Sequence, residues 1–145
     1  MTRALSIRTY TEADRQAVID LSELNFPQDP VWNKPDDIID NKIAFQPDWF
    51  FLCYCDGYLA GTVLVGYDGV RGWVHKVATH PNFKRRGVAS ALMTAAEDAL
   101  RDVGCVKLNL QVRAGNDSAV AFYKSAGYQI EDRINMAKRL ETASH

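Results

Sequence analysis

The stretch Val77-Ala78-Thr79-His80-Pro81-Asn82-Phe83-Lys84-Arg85-Arg86-Gly87-Val88-Ala89-Ser90-Ala91-Leu92 constrains the fold more than any other part of the chain. It opens on small and β-branched residues, breaks at Pro81, gathers three cations and reaches Gly87 just before a helical pattern. A proline holds the preceding residue in extended geometry, so a strand must end near His80. After Gly87 the apolar residues Val88, Leu92, Ala95, Ala99 and Val103 recur at helical spacing. The result is a strand–loop–helix unit with a cationic turn at the helix N-terminus. The first N–H groups of a helix have no partner within it, and the helix dipole adds positive charge there. Such an end binds phosphate, and a pyrophosphate is its natural ligand. A solvated cationic loop with an ordinary turn glycine accounts for the same residues, so the rest of the chain must decide.

At 145 residues the chain is long enough for one continuous core and is expected to be a single domain over residues 1–145. Its 17 basic and 18 acidic residues nearly cancel, which argues against general nucleic-acid binding; positive charge is local, at Lys84 to Arg86. No apolar run is long enough to span a membrane, and the first residues lack the apolar core of a signal peptide. The expectation is a cytoplasmic protein with no membrane partner. Cys53, Cys55 and Cys105 are odd in number and include no C-x-x-C pair, so they read as structural thiols and no metal is expected.

In chain order, Leu5 to Thr9 reads as a first strand. Thr11 and Asp14 form a capping-box pattern ahead of a helix over residues 12–25. A proline-punctuated loop from Phe26 to Pro35 carries Phe26 and Trp32, and a second helix follows over residues 36–45. Strands over 49–55 and 58–67 are joined by Asp56-Gly57, a hairpin dipeptide. Asp68-Gly69 gives a second such signal before a strand over 71–79, so three consecutive strands should be antiparallel. The helix over 86–102 stops at Gly104, and Lys107 to Val112 alternates apolar and polar residues as a strand reached by a parallel crossover. A short helix over 119–126 and a final hairpin, 128–130 with 134–139, complete the reading.

This order of elements, with two motifs, resembles the GCN5-related N-acetyltransferases, the GNAT superfamily. The family's acetyl-CoA motif, Gln or Arg, two free positions, Gly, one free position, then Gly or Ala, is matched by Lys84-Arg85-Arg86-Gly87-Val88-Ala89. Lys84 departs from it, at the loss of any fork-like arginine contact. The second motif resembles Asn116-Asp117-Ser118-Ala119-Val120-Ala121-Phe122-Tyr123-Lys124-Ser125-Ala126-Gly127-Tyr128. Trp32-Asn33-Lys34-Pro35, Gly66 to Gly72 and Lys138-Arg139-Leu140 are similar to the bacterial YpeA-type branch.

The resemblance implies an α/β fold with a mixed, mostly antiparallel sheet of six or seven strands flanked by four helices. It implies acetyl transfer from acetyl-CoA to an amine acceptor by direct attack in a ternary complex. Backbone amides of Arg86, Gly87, Val88, Ala89 and Ser90 would cradle the pyrophosphate, with charge from Lys84, Arg85 and Arg86. Val77, Ala78 and Thr79 would pair with the pantetheine arm, Asn116 would contact it, and the Val77 N–H would face the acetyl oxygen. Tyr123, two helical turns beyond Asn116, matches the family's general acid. Several members place glutamate where this chain has Trp73, whereas His75 stands where some carry a working histidine, and its ordinary pKa suits a base. For the acceptor pocket, roofed by the first helix-to-helix loop, Trp32, Asn33, Asp68 and Arg71 are the leading contacts. Phe26, Trp73, Asn109 and Gln111 stand behind them, and surface or turn roles compete for all eight. A module that keeps acetyl-CoA without turnover is the rival reading. A homodimer is common among such proteins, and residues 134–139 would offer it an edge.

Overall fold

The computed structural model describes residues 4–140. The chain divides into two compact units, Met1–Gln111 and Val112–His145, taken here in turn. In the first unit, β1 (Leu5–Thr9) leads through a 3₁₀ turn into α1 (Arg15–Asn25) and, past the proline loop, α2 (Pro35–Ala44). Then come β2 (Phe50–Cys55), β3 (Tyr58–Tyr67), β4 (Gly72–Thr79), α3 (Val88–Asp102) and β5 (Leu108–Asn109). The sheet order is β1-β2-β3-β4-β5; β1 to β4 are antiparallel and β4–β5 is parallel. The predicted meander and crossover are both present. Asp56 (φ 52°) and Gly57 (φ 81°) turn the β2–β3 hairpin with the left-handed geometry that a two-residue turn of this hand needs.

The sheet is covered on both faces. Val88, Leu92, Met93, Ala96 and Leu100 give α3 its buried stripe, set against the face that carries Val63 and Val65. Gly61 seats it: a Cβ there would lie 2.5 Å from Val88 Cγ1 and 2.7 Å from the Ala78 carbonyl oxygen. On the other face Tyr10, Val18, Ile39, Phe50 and Leu52 form a cluster beneath α1 and α2, with Tyr10 and Phe50 stacked at 4.7 Å. Arg15 ties α1 to α2 through Asp36 (3.0 Å) and Asp40 (2.6 Å).

The predicted capping box anchors the start of this layer. Asp14 is 3% exposed and accepts hydrogen bonds from Thr11 N (2.9 Å), Tyr54 Oη (2.6 Å) and Arg8 (2.8 and 2.5 Å). The Arg8 guanidinium also lies 4.4 Å over the Tyr54 ring.

Two expectations are corrected. The strand expected over 107–112 is only Leu108–Asn109, and the final hairpin is absent: residues 128–140 hold no strand. The sheet among the described residues therefore has five strands instead of six or seven. Alternation marks which face a segment would bury once paired, but pairing itself needs a neighbour. Ile134 (90% exposed) and Met136 (88%) keep the alternation and bury neither side chain. The second unit contains α4 (Asp117–Ser125), capped by Asn116, whose side chain accepts from Ala119 N at 3.2 Å.

Burial raises the pKa of Asp14, but the hydrogen bonds from Arg8, Tyr54 and Thr11 outweigh it and hold the carboxyl well below the usual range. A depressed folded-state pKa gives stability that is present above the unfolded value of about 3.9 and is lost as pH falls through the folded one. Asp14→Asn should therefore destabilise the protein by roughly 2–4 kcal/mol at pH 7. It should also flatten the acid limb of stability, as urea melts between about pH 2 and 7 would show.

Candidate functional site

The loop after β4 is shaped by local bonds. His80 N donates to the Ala60 carbonyl (2.7 Å), ending the strand pairing, and His80 Nδ1 accepts from Asn82 N at 3.1 Å. Phe83 is buried, and Arg86 lies over its ring at 5.6 Å. Lys84, Arg85, Arg86 and Gly87 are exposed. Arg85 (φ 63°) and Gly87 (φ 82°) are both left-handed, and alternation of this kind turns successive N–H groups into one concavity. Gly87 is the N-cap of α3 and supplies no side-chain cap, so the first-turn amides of Val88, Ala89 and Ser90 meet no capping group. A Cβ on Gly87 would find nothing nearer than Leu5 Cδ1 at 3.9 Å. The space ahead of α3 is therefore open, cationic and lined by amides. A pyrophosphate fits that donor set.

Beside it, β4 has an open edge. Residues Gly72 and Trp73 pair with β5, and beyond Trp73 no strand among the described residues pairs with that edge. Val77, Ala78 and Thr79 lie on this stretch. On the β3 side, Thr62 pairs with Ala78 but Leu64 pairs with His75, so Lys76 and Val77 together face Val63. This is a β-bulge, with Lys76 at φ 54° and the Thr62 hydroxyl donating to its carbonyl at 3.3 Å. It places His75 and Lys76, consecutive residues, on the face beneath α1 and α2.

His75 is exposed and stacks on Trp73 at 6.5 Å, with its Cα opposite Leu64. Partial desolvation, with the charges of Lys42 and Lys76 added, lowers its pKa below the ordinary histidine value. Lys42, in the last turn of α2, donates to the Val65 carbonyl, and burial lowers its pKa to about 8. Lys42 escaped the sequence reading, because a lysine in a helix's last turn is ordinary dipole matching.

The residues expected to contact the acceptor are dispersed over turns. Asp68 Oδ1 accepts from Val70 N (2.8 Å) and Arg71 N (2.7 Å), so its carboxylate builds the β3–β4 turn. Those amides also lower its pKa. Arg71 is exposed, Trp32 is 52% exposed in a 3₁₀ turn, and Asn33 N donates to the Pro30 carbonyl at 2.9 Å.

In the second unit, Tyr123 packs edge-on against Phe122 (5.0 Å) and Tyr128 (5.7 Å), and burial raises its pKa. It therefore keeps its proton at neutral pH. Asn116 caps α4, as described above. Among the described residues no group of three or more His, Cys, Asp or Glu is placed to hold a metal ion.

Comparison with known proteins places the chain in a family. Residues 15–128 match the acetyltransferase (GNAT) family. The chain belongs to the GNAT acetyltransferase family. An acetyltransferase of Pectobacterium atrosepticum is 38% identical to this GNAT chain over 136 residues, covering 94% of the chain and 96% of the relative. Among solved structures, Ard1 from Thermoplasma volcanium superposes with a TM-score of 0.77 at 26% identity, covering 88% of this chain and 84% of that one. AAC(6')-Iy, solved with a CoA-containing bisubstrate analogue, gives 0.76 at 18% identity over 94% and 99% of the two chains, a likeness of fold.

NMR titration of the His75 ring should give a midpoint below the ordinary value of about 6.5. Lys42→Met, by removing a neighbouring cation, should move that midpoint upward; an unmoved midpoint would leave Lys42 without a role there.

Proposed function

We propose that the chain is an acetyl-CoA-dependent N-acetyltransferase that works as one domain in the cytoplasm and acetylates a primary amine. The acceptor is a small amine or amino acid, or an amine of a protein. The observation that carries this reading is the uncapped start of α3 behind the left-handed turn Arg85–Gly87, at the end of a strand whose edge is open beyond Trp73. The CoA carried by the bisubstrate analogue in AAC(6')-Iy supports the choice of donor.

When bound, acetyl-CoA supplies an activated acetyl group on a thiol leaving group. Amides of Arg86 to Ser90 hold its pyrophosphate, and the charges of Lys84, Arg85 and Arg86 raise its local concentration. The open edge at Val77, Ala78 and Thr79 offers backbone groups to an extended amide-bearing arm, as a sheet edge does to a peptide. The Val77 N–H is the donor for the acetyl oxygen as negative charge develops there. Tyr123 donates the proton that the leaving thiolate needs. His75, held neutral at pH 7 by its surroundings, takes a proton from the acceptor ammonium, whose own pKa of roughly 10 would otherwise keep it unreactive. Trp32, Asn33, Asp68 and Arg71 are the side chains offered for orienting the acceptor.

Acetyl-CoA should raise the melting temperature saturably. Absence of any shift would overturn the donor assignment. Tyr123→Phe should lower turnover by about 10²–10⁴-fold with acetyl-CoA affinity retained. Turnover equal to the parent's at matched occupancy would remove Tyr123 as the acid. Tight binding with no turnover on any amine, amino acid or peptide would instead favour a sensor of acetyl-CoA.

A further inference from the structure

The Lys76 side chain ends in a site with the chemistry of an ammonium receptor. Its Nζ pairs with Asp29, in the proline loop between α1 and α2, and lies 4.4 Å from the centroid of the Phe26 ring. Neither charge is on the surface: the Asp29 side chain is 10% exposed and that of Lys76 is 22% exposed. A carboxylate and an aromatic face converging on one cation is how proteins recognise an alkylammonium. Beneath the ion pair, Val18, Ile38, Ile39, Phe50 and Leu64 line an apolar pocket. With Lys76 in place its free volume is about 30 Å³, space for a water or two.

The backbone gives this arrangement a cost. Lys76 is a non-glycine residue in the left-handed region, inside the bulge that doubles it with Val77 opposite Val63. Such residues persist where the surroundings over-determine them and are found at functional sites. Without the bulge, strand alternation would turn Lys76 toward α3 and leave Asp29 with no cation from β4. The bulge thus delivers a primary alkylammonium to Asp29 and Phe26, one residue from His75 and from Val77.

We infer that Asp29 and Phe26 form the recognition site for a primary alkylammonium on the acceptor, and that Lys76 is its resident placeholder. The ligand class follows from what the site already holds: a primary ammonium on a slender apolar stem, such as an aminoalkyl group or a lysyl side chain. An arriving acceptor displaces Lys76, swings it from the pocket and takes over its ion pair. The apparent acceptor affinity is lowered by the fraction of molecules in which Lys76 holds the site. The role of the site in acetylation rests on the acetyltransferase reading, whereas its occupancy by an ammonium does not.

Lys76→Ala removes the cation that pairs with a largely covered carboxylate and should lose stability. n-Butylammonium should restore it as a saturable rise in melting temperature, absent with n-butanol and absent in Lys76→Ala/Asp29→Asn. No rise, or an equal rise in the double variant, overturns the inference without touching the acetyl-CoA reading, because no turnover is involved. With acceptor present, Lys76→Ala should lower KM for primary alkylamines, acetyl-CoA affinity serving as the control. A raised KM would make Lys76 a mere staple of the loop and overturn the placeholder role. Should Lys76→Ala fail to fold in any amine, Lys76→Gly, which the left-handed φ of 54° favours, carries the test: n-butylammonium should raise its melting temperature saturably, and no rise overturns the site.

Discussion

The open end of β4 and the proline loop beside it hang on the register shift in that strand. From Gly72 to His75 the strand pairs regularly with β3, and from Ala78 it does so again one residue out of step. Everything between is set by the left-handed Lys76, a conformation costing on the order of 1–3 kcal/mol that the chain must hold by other means. The Thr62 hydroxyl on its carbonyl is one restraint, and Asp29 with Phe26 on its ammonium is another. The shift turns His75 and Lys76 onto the same face of the sheet. The proline loop, far from loose, is fastened to the sheet at that point.

The layers on either side keep this strand where it is. Gly61 lets the first turn of α3 close on β3 until Val88 would collide with even a methyl group there. That contact brings the uncapped helix start up to the end of β4. On the opposite face Asp14 gathers β1, β2 and the entrance of α1 around one buried carboxylate, while Arg15 clasps α1 to α2. The start of α3 and the sheet face beneath α1 and α2 therefore inherit their positions from packing.

How much of this was legible depends on how local the signal is. Asp56-Gly57, Pro81 and Gly87 each act through their own backbone preferences, and the turn, the strand end and the helix start stand where those preferences put them. The stripe of α3 was equally plain, because helical periodicity needs no partner to be read. The strand expected at 107–112 and the hairpin at 128–139 depended on neighbours that no local pattern can guarantee. Lys76 is the deeper case: lysine has no left-handed preference, so neither the bulge nor the partner it finds in Asp29 has a local mark. Proline spacing flagged Phe26 but passed over Asp29, whose meaning appears only once a cation from β4 lies against it.

Cys53 and Cys55 lie fully buried in β2, at the centre of a covered sheet, and burial raises the Cys53 pKa to about 11. A thiol that is both covered and protonated is inert to alkylating reagents until its strand comes away. Cys105, at the end of α3, is partly exposed. The protein thus carries an internal clock: prompt labelling reports the intact surface at Cys105, and slow labelling of the pair in β2 times the opening of the sheet itself.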